Sequence, residues 1–156
     1  MATFNFVNRT GKSFRPFEMI ERYITNAAKA KSGFIGRRMV NDDIAGCMNF
    51  MVTMYGVDDD AELLHFVLTF SPEEVNEPKT ACGFAEQITD YIATKYQVCY
   101  AVHEDTENLH VHFVFNSMGY LDGRCFKGTE ASQQLTDFVA RILHYRGGIT
   151  LDRRSK

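Results

Sequence analysis

No run of apolar residues approaches the roughly 18 that a membrane-spanning helix needs, so the chain is not expected to be an integral membrane protein. The opening MATFNFVNRTGK lacks the apolar core of a secretory signal, and a cytoplasmic location is the expectation. Cysteine is sparse and unpaired in pattern: Cys47, Cys82, Cys99 and Cys125 form no CxxC, which argues against a zinc ribbon. Cys82 and Cys99 lie inside apolar patterns and read as reduced, buried side chains. Repeats, low-complexity stretches and internal linkers are also missing. With 156 residues, this leaves one domain, 1–156, with an ordinary globular composition and enough chain to bury a core.

The net charge of −3 conceals a segregation. Residues 1–41 carry eight Lys/Arg (Arg9, Lys12, Arg15, Arg22, Lys29, Lys31, Arg37, Arg38) against Glu18 and Glu21. Residues 42–130 carry four basic and sixteen acidic residues, and 131–156 five basic and two acidic. The basic first third is compatible with phosphate binding, because the local field matters more than the total. A solvated helix face accounts for the same charges equally well.

Hydrophobic spacing predicts a helix over 15–31, with Pro16 in its first turn and Gly33 beyond its end. Asn41-Asp42-Asp43 offers a cap for a second helix, IAGCMNFMVTMY, ending at Gly56. LLHFVLTF (63–70) reads as a strand, 80–95 as a third helix, and YQVCYAVH (96–103) and LHVHFVFN (109–116) as two strands joined by EDTEN. Asp122-Gly123 signals a turn before a short return strand near 124–127. Thr129 or Ser132 caps a last helix through Tyr145, stopped by Gly147-Gly148. Helices alternating with an antiparallel sheet make the chain α+β.

Period-two alternation then places three of the five histidines together. His110, His112, Val114 and Asn116 share a strand face opposite Leu109, Val111, Phe113 and Phe115. In the preceding strand Cys99, Ala101 and His103 lie opposite Val98, Tyr100 and Val102. Paired as a hairpin, the strands turn both apolar sets toward the helices and His103, His110 and His112 away from them. Imidazole nitrogens bind zinc-like ions at about 2.0–2.1 Å, and three of them leave positions open for substrate. The competing readings are a polar sheet face without a ligand and acid–base use of the same rings. A histidine-triad hydrolase would need a further histidine where Val114 stands. His65 and His144 fall outside this cluster and read as ordinary strand and helix-end residues.

HEDTENLHVHFVFNS followed by YLDGRCF resembles the HUH motif of relaxases, the mobilisation endonucleases of plasmids and transposable elements. Its form H-x-D-T-x-N-x-H-x-H-x-x-x-N is similar to the P-type mobilisation branch. ERYITNAAKAK is similar to the segment of that family bearing the catalytic tyrosine, and HFVLTFSPEE and KYQVCYAVHEDT fall in matching order. The resemblance covers most of 17–127. It implies a ferredoxin- or RRM-like central sheet, with helices on one face and a metal–DNA site on the other. It also implies metal-dependent, strand-specific nicking and joining at a transfer origin through a 5′-phosphotyrosine on Tyr23. The expected site is then His103, His110 and His112 for the metal and Asp105 as a helper in catalysis. Arg22, Lys29, Lys31, Arg37, Arg38 and Asn116 are the expected DNA contacts.

The implied cofactor is a divalent ion, Mn or Mg in the cell, with Zn, Ni, Co or Cu also suited to an all-imidazole set. The implied partners are single-stranded or extruded origin DNA, an accessory relaxosome protein and a coupling protein. Relaxases usually continue past this core, so the domain is expected to lack a C-terminal extension. Two alternatives stay open: a replication initiator or small transposase using Tyr145, and a DNA-binding module without catalysis. A metal-binding protein that is not a nuclease is a further one.

Overall fold

The computed structural model describes residues 1–7, 17–55 and 63–153. Arg9, Lys12, Arg15, Pro16, Gly56 and Arg154 lie outside the described residues, as does the proposed start of the first helix. Among the described residues, ten α-helices and β-strands follow in order: β1 (Ala2–Phe6), α1 (Phe17–Ile24), β2 (Ile35–Arg38), α2 (Ile44–Tyr55), β3 (Leu63–Phe70), α3 (Pro78–Ile92), β4 (Val98–His103), β5 (Leu109–Asn116), α4 (Gly128–Gly147) and β6 (Leu151–Asp152), with one short 3-10 turn at Ser32–Phe34 before β2. The six strands form one sheet in the order β2-β4-β5-β3-β1-β6. Every pairing is antiparallel except β1 with β6, so the sheet is mixed. The α+β class holds.

Alternation along the strands gives the sheet two unlike faces. Phe66, Leu68, Phe70, Tyr100, Val102, Val111, Phe113 and Phe115 pack with Ala81, Ala85 and Ile88 of α3 and Leu135, Val139 and Leu143 of α4. This is the main core. The other face is not bare. Cys99, Ala101, Val114 and Leu63 pack there with Ile24 of α1, Ala30, and Ile44 and Met48 of α2. The helix-covered face expected from the sequence is therefore the α3–α4 face, while α1 and α2 roof part of the opposite one.

Local chemistry sets the boundaries. α1 stops at Ile24 rather than continuing to Lys31, because the Asn26 side chain accepts from the Ala28 N–H at 2.9 Å and turns the chain. Asp43 caps α2, its Oδ1 accepting from the Gly46 N–H at 3.0 Å. Pro78 opens α3, a position where the missing N–H costs nothing. α4 begins at Gly128 after Lys127, without a side-chain cap, rather than at Thr129 or Ser132. Gly148 ends it at φ 63°, with its N–H on the His144 carbonyl and the Ile149 N–H on Leu143. The return strand near 124–127 amounts to one bridge, Met118 to Cys125.

Candidate active site

The β4–β5 hairpin sets His103 opposite His110 and Ala101 opposite His112. β3 lies on the other side of β5, pairing Val67 with His112 and Thr69 with His110. All three motif histidines thus share the α1 face of the sheet, as the alternation predicts. His103 and His112 are 2% and 6% exposed, and their ring centroids are 4.1 Å apart. His110 is more open, with its centroid 6.4 Å from that of His112.

Burial holds His112 neutral. Its pKa is pushed down to about 2, chiefly by desolvation and then by the neighbouring histidines. His103 is also lowered, first by burial, against the opposing influence of the Ile24 carbonyl and Asp105. Each ring has protein partners. His103 Nε2–H donates to the Ile24 carbonyl at 2.7 Å, joining β4 to the last residue of α1. Thr106 Oγ1 donates its only proton to the Asn108 carbonyl, so at 3.0 Å it accepts from His110 Nε2–H. His110 Nδ1 then accepts from Thr69 Oγ1 at 3.1 Å.

The fourth ring is a surprise of position. His65 of β3, which the alternation left outside the cluster, has its Nε2 2.9 Å from His112 Nδ1. It lies on the same face because β3 neighbours β5, and strand order is not readable from parity within one strand. Tyr23 lies above these rings. Its centroid is 5.5 Å from His112, 5.8 Å from His103 and 6.3 Å from His65, edge-on to each. The tyrosine is 46% exposed, so its position on the apolar stripe of α1 does not bury it. Lys29 Nζ sits 4.7 Å from the Tyr23 centroid and 3.9 Å from Asp105 Oδ2.

In kind, the donor set fits a divalent cation: several imidazoles on one face, His103 and His112 among them kept from protonation by burial, beside a carboxylate. Ligands at about 2.1 Å and 90–110° apart place ring centroids roughly 4.5–5.5 Å from each other. The 6.4 Å between His110 and His112 exceeds that, and two of the three rings have Nε2 committed to protein oxygens. Among the described residues no three His, Cys, Asp or Glu side chains are grouped closely enough to hold an ion. Ligation thus requires ring nitrogens to exchange protein partners for the metal.

A family model described as relaxase, MobA/VirD2-like, nuclease domain, matches residues 23–147. The chain belongs to this relaxase family. A curated relative, Protein rlx of Staphylococcus aureus, is 31% identical over 77 residues, 49% of this chain. Those residues cover 23% of the relative's own length. The match places the histidine cluster inside the relaxase nuclease domain. Among the described residues no helix is long and apolar enough to cross a membrane.

The remaining expected site residues of the relaxase domain divide. Arg22 is exposed on α1 beside Tyr23, and Arg37 of β2 is in register with Cys99 on the histidine face. Arg37 Nε is buried and makes no hydrogen bond among the described residues. Lys31 pairs with Glu104 at 3.0 Å. Arg38 does not join the site: it forms ion pairs with Glu86 and Asp90 of α3, behind the sheet. Asn116 is fully buried, its Nδ2 donating to Met48 O and Gln97 Oε1 and its Oδ1 accepting from the Met118 N–H. It ties β5 to α2 and has no surface to offer DNA. Cys99, beneath this face, is a free thiol pushed up to about 12 by burial.

Proposed function

We propose that this domain nicks and rejoins one DNA strand at a transfer origin, with Tyr23 as the nucleophile that becomes linked to the 5′ phosphate. The observation that carries the reading is the placement of Tyr23: half-exposed, edge-on to three histidine rings, and next to a lysine ammonium. Tyr145, the alternative, is 81% exposed near the end of α4, the helix packed on the opposite face. That placement supports the relaxase order over the initiator or transposase order.

In this reading the Tyr23 hydroxyl oxygen bonds to phosphorus as the P–O3′ bond breaks. The phenolic proton departs, and the released 3′ oxygen takes one up. His103, His110 and His112 would hold the divalent ion, with Mn or Mg in the cell. When bound, such an ion supplies Lewis-acid neutralisation of charge on the non-bridging oxygens. Lys29 contributes a fixed positive charge beside the tyrosine, where a phosphate must approach. Asp105 holds Lys29 there and is the nearby carboxylate for the leaving proton. Arg22, Lys29 and Arg37 grip the backbone of single-stranded or extruded DNA. A relaxosome accessory protein and a coupling protein complete the assembly, which acts in the cytoplasm.

The test is incubation with single-stranded oligonucleotides spanning a candidate origin, with Mn²⁺, resolved on a denaturing gel. A protein–DNA adduct that disappears in Tyr23→Phe is expected. DNA binding without any adduct would leave a binding module, and an adduct lost only in Tyr145→Phe would make the protein an initiator or transposase.

A further inference from the structure

The chemistry above uses three histidines and leaves the fourth ring of the cluster without a part. His65 is 8% exposed, and its ring centroid is 5.2 Å from that of His112 with the planes at 37°. Its Nε2 and His112 Nδ1 are 2.9 Å apart, a separation at which two buried ring nitrogens share one proton, one donating and one accepting.

The direction of that bond matters. If His65 donates, His112 keeps its own proton on Nε2, and that nitrogen has no lone pair to offer. If His112 donates from Nδ1, its Nε2 lone pair is free. We infer that His65 is a positioning residue: its Nε2 accepts the Nδ1 proton of His112 and holds that imidazole with the Nε2 lone pair available beside Tyr23. The inference rests on the reading of this face as the ion-holding site. Histidine ligands ordinarily give their second proton to a carboxylate, a carbonyl or water, which fixes the tautomer and the ring plane. For His112 that acceptor is another imidazole, which orients the ring without adding negative charge to a face that must receive phosphate. The fold explains why His65 can serve. It is in register with Val114, one pleat along from the Val67–His112 pair, so its ring leans along the strand toward His112.

The tautomer can be read without metal or DNA. Long-range ¹H–¹⁵N correlation spectra of the metal-free full chain are expected to show His112 protonated on Nδ1, with a pyridine-type Nε2. A proton on Nε2 would overturn the assignment. Titration with Mn²⁺ alone supplies the second measurement. His65→Leu, which cannot accept, should weaken binding by about 10–100-fold. His65→Gln, whose Oε1 can occupy the place of Nε2, should keep the wild-type affinity. Wild-type affinity in a folded Leu variant, checked by thermal unfolding, would also overturn the assignment. Should the Leu variant fail to fold, the wild-type tautomer and the Gln variant decide. If the wild type binds no Mn²⁺ while His112 carries its proton on Nδ1, the ion site of the proposed function fails and the His65 assignment stands.

Discussion

One face of the sheet is covered by α3 and α4, helices of 15 and 20 residues, over a packed field of aromatic rings in which Phe66 stacks on Phe113 at 4.7 Å and 14°. The other carries the buried polar side chains His65, His103, His112, Gln97 and Asn116, roofed by α1 and α2 of 8 and 12 residues. The same strands feed both, since successive residues point to opposite sides. On the aromatic face each contact adds to burial. On the histidine face a buried polar group needs a partner, and those found for the buried histidines, Gln97 and Asn116 are largely the carbonyls and rings that position the site. The first face stores stability and the second is free to hold chemistry.

The sharpest way to break this division is at Tyr23. Tyr23→Phe removes one hydroxyl from a half-exposed ring, so the covalent adduct should vanish completely while the unfolding free energy stays within about 0.5 kcal/mol. Denaturing gels and urea melts of the same preparation read both. A large loss of stability would mean that the tyrosine belongs to the scaffold.

The mirror experiment is on the aromatic face. Phe113→Ala should cost about 3–5 kcal/mol in urea unfolding, because it opens a cavity between Phe66, Tyr100 and the helices. A loss below about 1 kcal/mol would show that the core does not depend on this stack. Asn116→Ala comes next. It strips partners from Gln97, the Met48 carbonyl and the Met118 N–H, and should cost about 1–3 kcal/mol. DNA affinity of the folded protein should not change. Weaker DNA binding at intact stability would return Asn116 to the interface.

The smallest effects separate two adjacent arginines. Arg37→Gln should weaken single-stranded DNA binding and reduce the salt slope by about 1. Arg38→Gln should leave the slope alone and cost at most about 1 kcal/mol, the worth of a partly exposed ion pair. Equal slopes in both variants would place the DNA elsewhere on the domain.

Where the sequence was legible, a strong period coincided with an element that needs no distant partner. α2, β3 and β5 run over the residues that their apolar patterns mark. β1, β2 and β6 have five, four and two residues; ATFNF does alternate apolar and polar residues, but nothing in IGRR or LD marks a strand. They exist because β3, β4 and β1 present unpaired backbone to them. The histidine hairpin was readable because its two strands are consecutive in the chain. His65 was not, because its neighbour β5 is reached only after a helix and another strand. The place of Arg38 behind the sheet was hidden for the same reason. Glu86 and Asp90 lie 48 and 52 residues beyond Arg38, and only the fold brings them to it.

The bond from His103 to the Ile24 carbonyl also bears on motion. A helix of two turns does not hold its shape in water unaided. Among the described residues α1 is held by Ile24 in its small apolar cluster, by the His103 proton on the Ile24 carbonyl, and by Glu21, whose Oε2 accepts from the Ala45 N–H of α2 at 3.2 Å. Its amide hydrogens should therefore exchange with solvent through a local opening, at a free energy well below that of the β4–β5 strands. His103→Ala should speed this exchange while leaving β4–β5 protected. Exchange of this kind would make the segment that carries Tyr23 a separate unit of opening, able to lift from the histidines while the domain stays folded.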